Sequence, residues 1–248
     1  MYDLEYNGIN ASSLQIFVRE KVNIPSPRLK YTENEVQGRD GSLIESDEKY
    51  EDITIPVKFN YKTIESNWHE VFRKAKKWLF SNGTKKLIFS DDADYFYLVK
   101  RVEIGDNERL SDRIGSFSVN FICEPYQYLV SGETEYDISD VLNNPYDECH
   151  PIYIVSGRYG SYKLIVNGNT VEVYVSTSDG KTSTPTYIDT EKMMTYSENG
   201  IRNAYLTGDY ESLYLQEGKN TIETPKSTSG LAQGYTPTVK VIPRWRCK

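Results

Sequence analysis

The sequence of residues 53–61, Ile-Thr-Ile-Pro-Val-Lys-Phe-Asn-Tyr, alternates apolar and polar side chains without a break. Successive side chains of a β-strand point to opposite faces, so the odd-numbered residues share one face. Two other segments alternate in the same way, with apolar residues at Leu14, Ile16 and Val18 and at Phe117, Val119 and Phe121. These segments predict strands that bury one face.

Turn dipeptides divide the rest of the chain into short strands. Asn-Gly occurs four times and Asp-Gly twice, and both favour tight turns with positive φ. In the second half the apolar runs are short and lie at residues 163–167, 170–175, 212–216, 220–224 and 238–242. The pattern predicts a mainly β protein whose second half is a β-sandwich.

One segment has a helical period instead. From Ile64 onward, apolar residues recur every 3.6 positions, at Trp68, Val71, Phe72, Ala75, Trp78 and Leu79. Thr63 or Ser66 can cap the start, and Asn82-Gly83 supplies a left-handed end. We predict one amphipathic helix whose buried side carries Trp68, Phe72 and Trp78.

The opposite side of this helix carries four cations, Arg73, Lys74, Lys76 and Lys77. A charge run of this kind is usually a solvated face, and the alternative is contact with an acidic partner surface.

The stretch from Lys30 to Asp52 has too few large apolar residues to form a core of its own. A strand pair of this composition either extends a sheet or reaches onto another subunit. We interpret it as an extended hairpin arm whose turn is Gly38-Arg39-Asp40-Gly41. The GXXG pattern of this turn also occurs in loops that clamp single-stranded nucleic acid, but those loops lie between helices in basic surroundings.

Apolar density falls between Ser131 and Pro151, where turn-forming residues accumulate. We therefore predict two domains, residues 1–130 and 131–248, the first sandwich-like with the helix and the arm.

Net charge is −7, from 29 Lys and Arg against 36 Asp and Glu, and neither half is basic. This balance argues against specific nucleic-acid binding, which needs clustered cations. The apolar runs are too short to cross a bilayer, and the first residues lack a secretory signal, so we expect assembly in a cytoplasm and no membrane insertion. The three cysteines, Cys123, Cys149 and Cys247, form no metal-binding or disulfide pattern.

Catalytic patterns are absent from the sequence. His69 and His150 are the only histidines, and neither a GxSxG elbow nor a phosphate-binding loop is present. The acidic loop from Asp91 lacks the carboxylate that a calcium loop needs at position twelve, where Val102 stands. We expect no enzymatic activity, no cofactor and no metal.

The chain resembles the distal tail proteins of siphophages, the Dit family, over nearly its whole length. The resemblance rests on the order and spacing of short motifs: Tyr6-Asn7-Gly8, the Gly-Arg-Asp-Gly turn, the helix with Trp78-Leu79, Phe121 with Cys123 and Pro125-Tyr126, Gly218-Lys219-Asn220, and Pro243-Arg244-Trp245.

The resemblance implies a hexameric ring at the distal tip of the virion tail. The ring would join the major tail tube protein to the tail-associated (fibre- or lysin-like) protein and carry the adsorption apparatus, with receptor-binding proteins as further candidate partners. It also implies a galectin-like second domain, here without a long insertion. No catalytic residues are carried over.

Two other functions stay open. The second half contains twelve of the 21 tyrosines and would suit an adsorption protein that binds host cell-wall glycan by aromatic stacking. A wall hydrolase with a carboxylate pair such as Asp189 and Glu191 is the third interpretation.

Overall fold

The computed structural model describes residues 2–35, 37–38, 40–46, 49–63, 68–111, 113–176 and 184–248. The chain divides into two units, Met1–Tyr128 with Lys248, and Leu129–Cys247. That each domain folds on its own stays a prediction.

The described part of the first unit consists of strands, one 3-10 turn and one α-helix. In chain order the elements are β1 Leu4–Tyr6, β2 Ile9–Asn10, the 3-10 turn Ala11–Leu14, β3 Ile16–Val18, β4 Thr32–Glu35, β5 Ser42–Glu45, β6 Ile53–Lys62, α1 Trp68–Leu79, β7 Lys85–Phe89, β8 Tyr95–Arg109 and β9 Ile114–Leu129.

Apart from β4 and β5, these strands follow one continuous sheet in the order β2-β1-β7-β8-β9-β6-β3. The long β6–β9 pair is antiparallel from Ile53 opposite Cys123 to Lys62 opposite Ile114. This register places Phe59 opposite Phe117 on the buried face, and their rings stack with centroids 5.3 Å apart. The alternation of residues 53–61 therefore produces the buried face that it predicts.

The sheet of the first unit curls around its core. Three strand steps separate β1 from β9, which would be about 14 Å in a flat sheet. The rings of Tyr6 on β1 and Phe121 on β9 nevertheless lie 5.3 Å apart. The sandwich-like layering predicted for this unit is thus made by one sheet that faces itself.

Helix α1 packs its apolar side into that core. Val71, Ala75, Trp78 and Leu79 are buried in the same cluster as the sheet residues. The described part of the helix begins at Trp68, and the hydroxyl of Thr63, one of the two predicted caps, donates to the Arg113 carbonyl (3.4 Å). The other predicted cap, Ser66, and Ile64 lie outside the described residues. Gly83, at φ 76°, has the left-handed backbone that the Asn-Gly pair predicts.

The second unit contains short strands and 3-10 turns. They are Ser131–Glu133 (3-10), β10 Tyr136–Asp137, Ile138–Val141 (3-10), β11 Asn143–Asn144, β12 Ile152–Ser156, β13 Gly160–Val166, β14 Asn169–Val175, β15 Thr186–Asp189, β16 Met194–Ser197, β17 Gly200–Ile201, Asn203–Tyr205 (3-10), β18 Leu206–Thr207, Tyr210–Leu213 (3-10), β19 Gly218–Lys219, β20 Ile222–Glu223, Gly230–Ala232 (3-10), β21 Thr238–Ile242 and β22 Arg246–Cys247.

Two sheets of this unit share one core. Their orders are β10-β21-β12-β15-β16-β17 and β18-β14-β13-β20, and β11 pairs separately with β19. Tyr153 and Val155 of the first sheet are buried in one cluster with Val173 and Val175 of the second. This is a β-sandwich, and the mainly β fold class is confirmed. The late strand β21 pairs with β12 and β10 of its own unit.

Candidate functional site

The hairpin of β4 and β5 is an exposed arm. Its register runs from Thr32 opposite Glu45 to Glu35 opposite Ser42, and all eight strand residues are exposed. These two strands form a separate two-stranded sheet. An isolated hairpin with no buried side is marginal in water, so a surface that covers it would stabilise it.

Backbone hydrogen bonds anchor the base of the arm. Leu29 bridges Tyr50, and the amide of Lys30 donates to the Lys49 carbonyl at 2.7 Å. The Tyr50 ring packs edge-on against Tyr126, with centroids 6.3 Å apart. The arm therefore leaves the first unit at a fixed position.

At the predicted arm turn, Gly38 and Gly41 have φ of 85° and 78°. A non-glycine residue adopts this backbone at a cost, which accounts for glycine at both positions. Asp40 is exposed between them, and Arg39 lies outside the described residues. The inter-subunit role of the turn stays a prediction.

One face of the arm carries two carboxylates and an exposed isoleucine. Residues opposite each other in an antiparallel pair share a face, so Glu33, Glu35 and Ile44 lie on one face. Ile44 is 62% exposed, against 37% for its neighbour Leu43. Residues 30–52 contain three basic and eight acidic residues, a net charge of −5. The arm is acidic with an apolar centre.

The outward side of α1 is basic. Arg73, Lys74, Lys76 and Lys77 are all exposed. Lys74 pairs with Glu70 at 3.0 Å, and the ammonium of Lys76 lies 5.0 Å from the Phe72 ring. Phe80 follows the last turn, its amide still bonded to the Lys76 carbonyl, and is 61% exposed. The basic face, these four cations, thus adjoins an exposed aromatic ring.

The structure brings the predicted helix-core residues to one side of α1. Trp78 is 5% exposed, and its Nε1 donates to the Tyr6 carbonyl at 3.0 Å. Trp68 and Phe72 are partly buried against the same core. A Cβ at Gly115 would lie 2.7 Å from Trp68 Nε1, so the close packing here requires glycine.

A charged network lies in the second unit. Arg244 forms a bidentate ion pair with Asp189 at 2.8 and 2.9 Å, and the Asp189 side chain is 1% exposed. His150 bonds Glu191 through Nδ1, stacks on Tyr214 at 3.8 Å and accepts a hydrogen bond from Arg246 at Nε2 (3.0 Å). Sequence reasoning missed this network, since its members lie far apart in the chain.

The carboxyl groups of this network are poor general acids. Burial alone would raise the pKa of Asp189, but the Arg244 guanidinium, together with the backbone amide and the charge of Lys192, holds that pKa below its usual range. The hydrogen bond from His150 lowers the pKa of Glu191, against the effect of burial. A glycosidase needs one carboxyl with a raised pKa, so this pair does not suit a wall hydrolase.

Cys123 and Cys149 form no disulfide. Cys123 and Cys149 are buried, and burial raises the pKa of each thiol to about 12. Thiols of this kind are inert packing groups.

Tyrosines gather beside one sheet of the second unit. Tyr174 on β14 contacts Tyr159 and Tyr205 edge-on, at centroid distances of 5.5 and 5.1 Å. The hydrogen bond with Tyr159 raises the pKa of Tyr174 to about 12. Tyr159 is 42% exposed, so this cluster offers an aromatic edge to solvent.

Across the described ranges, no group of three or more His, Cys, Asp or Glu side chains could hold a metal ion. Within the same ranges no helix has the length and apolarity to cross a membrane.

Residues 6–123 match the family described as the phage tail protein RIFT-related domain. This part of the first unit is thus similar to a domain of phage tail proteins. No curated protein sequence matches the chain significantly.

Two solved structures share the fold of nearly the whole chain. The crystal structure of the Dit protein of phage SPP1, described as a paradigm of the hub adsorption apparatus in phages that infect Gram-positive bacteria, has a TM-score of 0.66 at 16% identity and covers 97% of each chain. A chain of the phage P2 baseplate, in its activated conformation with calcium, has a TM-score of 0.53 at 9% identity and covers 100% of this chain and 97% of that one. The resemblance to siphophage distal tail proteins is confirmed.

Proposed function

We propose that this protein is the structural hub of a siphophage tail tip, where six copies form a ring. The observation that carries the proposal is the arm, an exposed hairpin held at its base and joined to no other described sheet. The family match to phage tail proteins and the shared fold of the SPP1 hub protein support the tail-tip role.

A ring needs one surface on each subunit that binds a different surface on the next subunit. The arm can supply one of these two surfaces, because its eight strand residues have no covering layer within the described first unit. Its exposed apolar residues, Tyr31 and Ile44, favour burial against protein.

In this role the ring joins the tail tube to the tail-associated protein and carries the adsorption apparatus at the distal end of the virion. The first unit would form the ring, and the second would face peripheral components such as receptor-binding proteins. The structure of each unit supports this division, since the arm and α1 both belong to the first.

Ile44→Asp should raise the protein concentration needed for ring assembly by about tenfold or more. The melting temperature should stay unchanged, because Ile44 is exposed in the free subunit and buried only in the proposed interface. Light scattering across a dilution series measures the assembly. Ile201→Asp is the matched control, since Ile201 is also 62% exposed but lies in the second unit. Equal assembly of both variants would exclude the arm from the interface.

A fragment of residues 1–130 should fold and assemble, whereas a fragment of residues 131–248 should be a monomeric β-sandwich. The reason is that each unit has its own buried core. Circular dichroism and light scattering of the two fragments check this. Insolubility of the first fragment that is rescued by adding the second would contradict independent folding.

A second candidate function is binding of host cell-wall glycan by the second unit. The tyrosine cluster at Tyr159, Tyr174 and Tyr205 favours it, because sugar rings stack on exposed aromatic faces. A cell-wall pulldown decides between scaffolding and glycan binding. Glycan binding would be established if cell walls retain the parent and Tyr31→Ala but not Tyr159→Ala. It would be excluded if both variants lose retention equally or if the parent is not retained.

A further inference from the structure

We propose that the acidic arm of one subunit binds the basic face of helix α1 on the next subunit. This inference rests on the proposed ring and names the two surfaces that close it. Each subunit then uses its arm in one interface and its helix in the other, which is the heterologous arrangement that generates rings.

The first support is opposite net charge. The arm, residues 30–52, has a net charge of −5, whereas residues 68–80 contain four cations and one acid, a net charge of +3. Among the described residues neither Arg73 nor Lys77 forms an ion pair, so both are available to a partner. Complementary surface charges select partners and accelerate their association.

The second support is matching spacing. Glu33 and Glu35 lie on one face of β4, two residues apart, which is about 6.7 Å along a strand. Arg73 and Lys77 lie one turn apart on α1, which is about 6 Å along a helix. Glu33 and Glu35 can therefore reach Arg73 and Lys77 at the same time.

The third support is an apolar residue beside each charged pair. Ile44 lies directly opposite Glu33 on the same face of the hairpin and is 62% exposed. Phe80 lies seven positions after Arg73, on the same side of the helix, and is 61% exposed. A contact between Ile44 and Phe80 would remove both side chains from water and fix the register of the ion pairs.

Charge reversal tests the contact. One variant carries Glu33→Lys and Glu35→Lys, and the other carries Arg73→Glu and Lys77→Glu. Each reverses one surface at exposed positions, so the melting temperature should stay that of the parent. At a concentration where the parent is assembled, light scattering should show a ring population for each variant alone that is lower than that of the parent by about tenfold or more.

Mixing the two variants provides the decisive measurement. In an equimolar mixture, a ring that strictly alternates the variants pairs every reversed arm with a reversed helix and every native arm with a native helix. The ring population should therefore return close to that of the parent. A chain with all four substitutions should also assemble. The matched control, Lys163→Glu with Lys219→Glu in the second unit, should assemble like the parent.

The outcomes separate the contact from the ring. If the parent forms rings and both reversed variants do so equally well, the arm–helix contact is wrong and the ring stands. If the chain with all four substitutions recovers ring assembly but the mixture does not, the arm binds the helix of its own chain, which overturns the proposal. If only the helix variant loses assembly, the basic face binds some other acidic surface. A parent that is monomeric at the highest attainable concentration and in tail particles overturns the ring and the contact with it.

Discussion

Replacing Trp78 by alanine should lower the free energy of unfolding of the first unit by about 3–5 kcal/mol. The Trp78 ring is 5% exposed and packs edge-on against Tyr6 and Phe59, with centroids 6.0 and 6.1 Å apart. The substitution leaves a cavity where the helix meets two strands of the curled sheet. It also removes the donor that bonds the Tyr6 carbonyl. The result should be loss of soluble protein or a much lower unfolding midpoint in urea.

Lys76→Ala and Lys77→Ala are the controls on the same helix, since both side chains are exposed. Their effect should stay within about 1 kcal/mol, because exposed cations contribute little to stability. If Trp78→Ala unfolds at the urea concentration of the parent, α1 does not pack on the sheet as described.

Replacing Arg244 by alanine should destabilise the second unit by about 3 kcal/mol at pH 7. The substitution leaves the Asp189 carboxylate, which is 1% exposed, without its bidentate partner. Alanine meets the same left-handed backbone as arginine, at φ 51°, so the change in stability reports the ion pair. Lys192→Ala is the control: Lys192 lies 3.7 Å from the same carboxylate but is 65% exposed, and its loss should cost about 0.5 kcal/mol or less.

The effect of Arg244→Ala should depend on pH. The native pKa of Asp189 is depressed, so its contribution to stability is present above the ordinary carboxyl pKa of about 3.9 and is lost as pH falls through the native pKa. Without Arg244, burial would raise the pKa of Asp189. Protonation of Asp189 in acid would then remove the unpaired buried charge that destabilises the variant. The difference between parent and variant should therefore shrink below about pH 4. Urea unfolding at pH 7 and at pH 3.5 measures it, and a difference that grows in acid would contradict the assignment.

Local patterns predicted much of the first unit. The alternation of residues 53–61 gave the buried face of β6, and the 3.6-residue period gave the helix that the structure places at Trp68–Leu79. Both succeed because neighbouring residues alone determine which side of a strand or helix is apolar. The exposed hairpin followed from composition, since residues 30–52 lack the apolar residues of a core.

Other features depend on contacts that no local pattern contains. The curl that brings Tyr6 to Phe121 depends on strands that are distant in sequence. The Asp189–Arg244 pair joins residues 55 positions apart, and nothing in either neighbourhood indicates its partner. The strand predicted at residues 212–216 was wrong in its first half, which is a 3-10 turn. There the Ser212 hydroxyl donates to the Asp209 carbonyl at 2.6 Å, a local bond that competes with strand pairing.

The mass of the assembled protein tests the central claim most directly. Six chains of 28.6 kDa give a ring of about 172 kDa. Light scattering of the purified protein over a concentration series, together with counting of copies in isolated tail tips, should converge on this mass. A chain that stays at 28.6 kDa at every concentration and occurs as a single copy in the tail tip would contradict the ring.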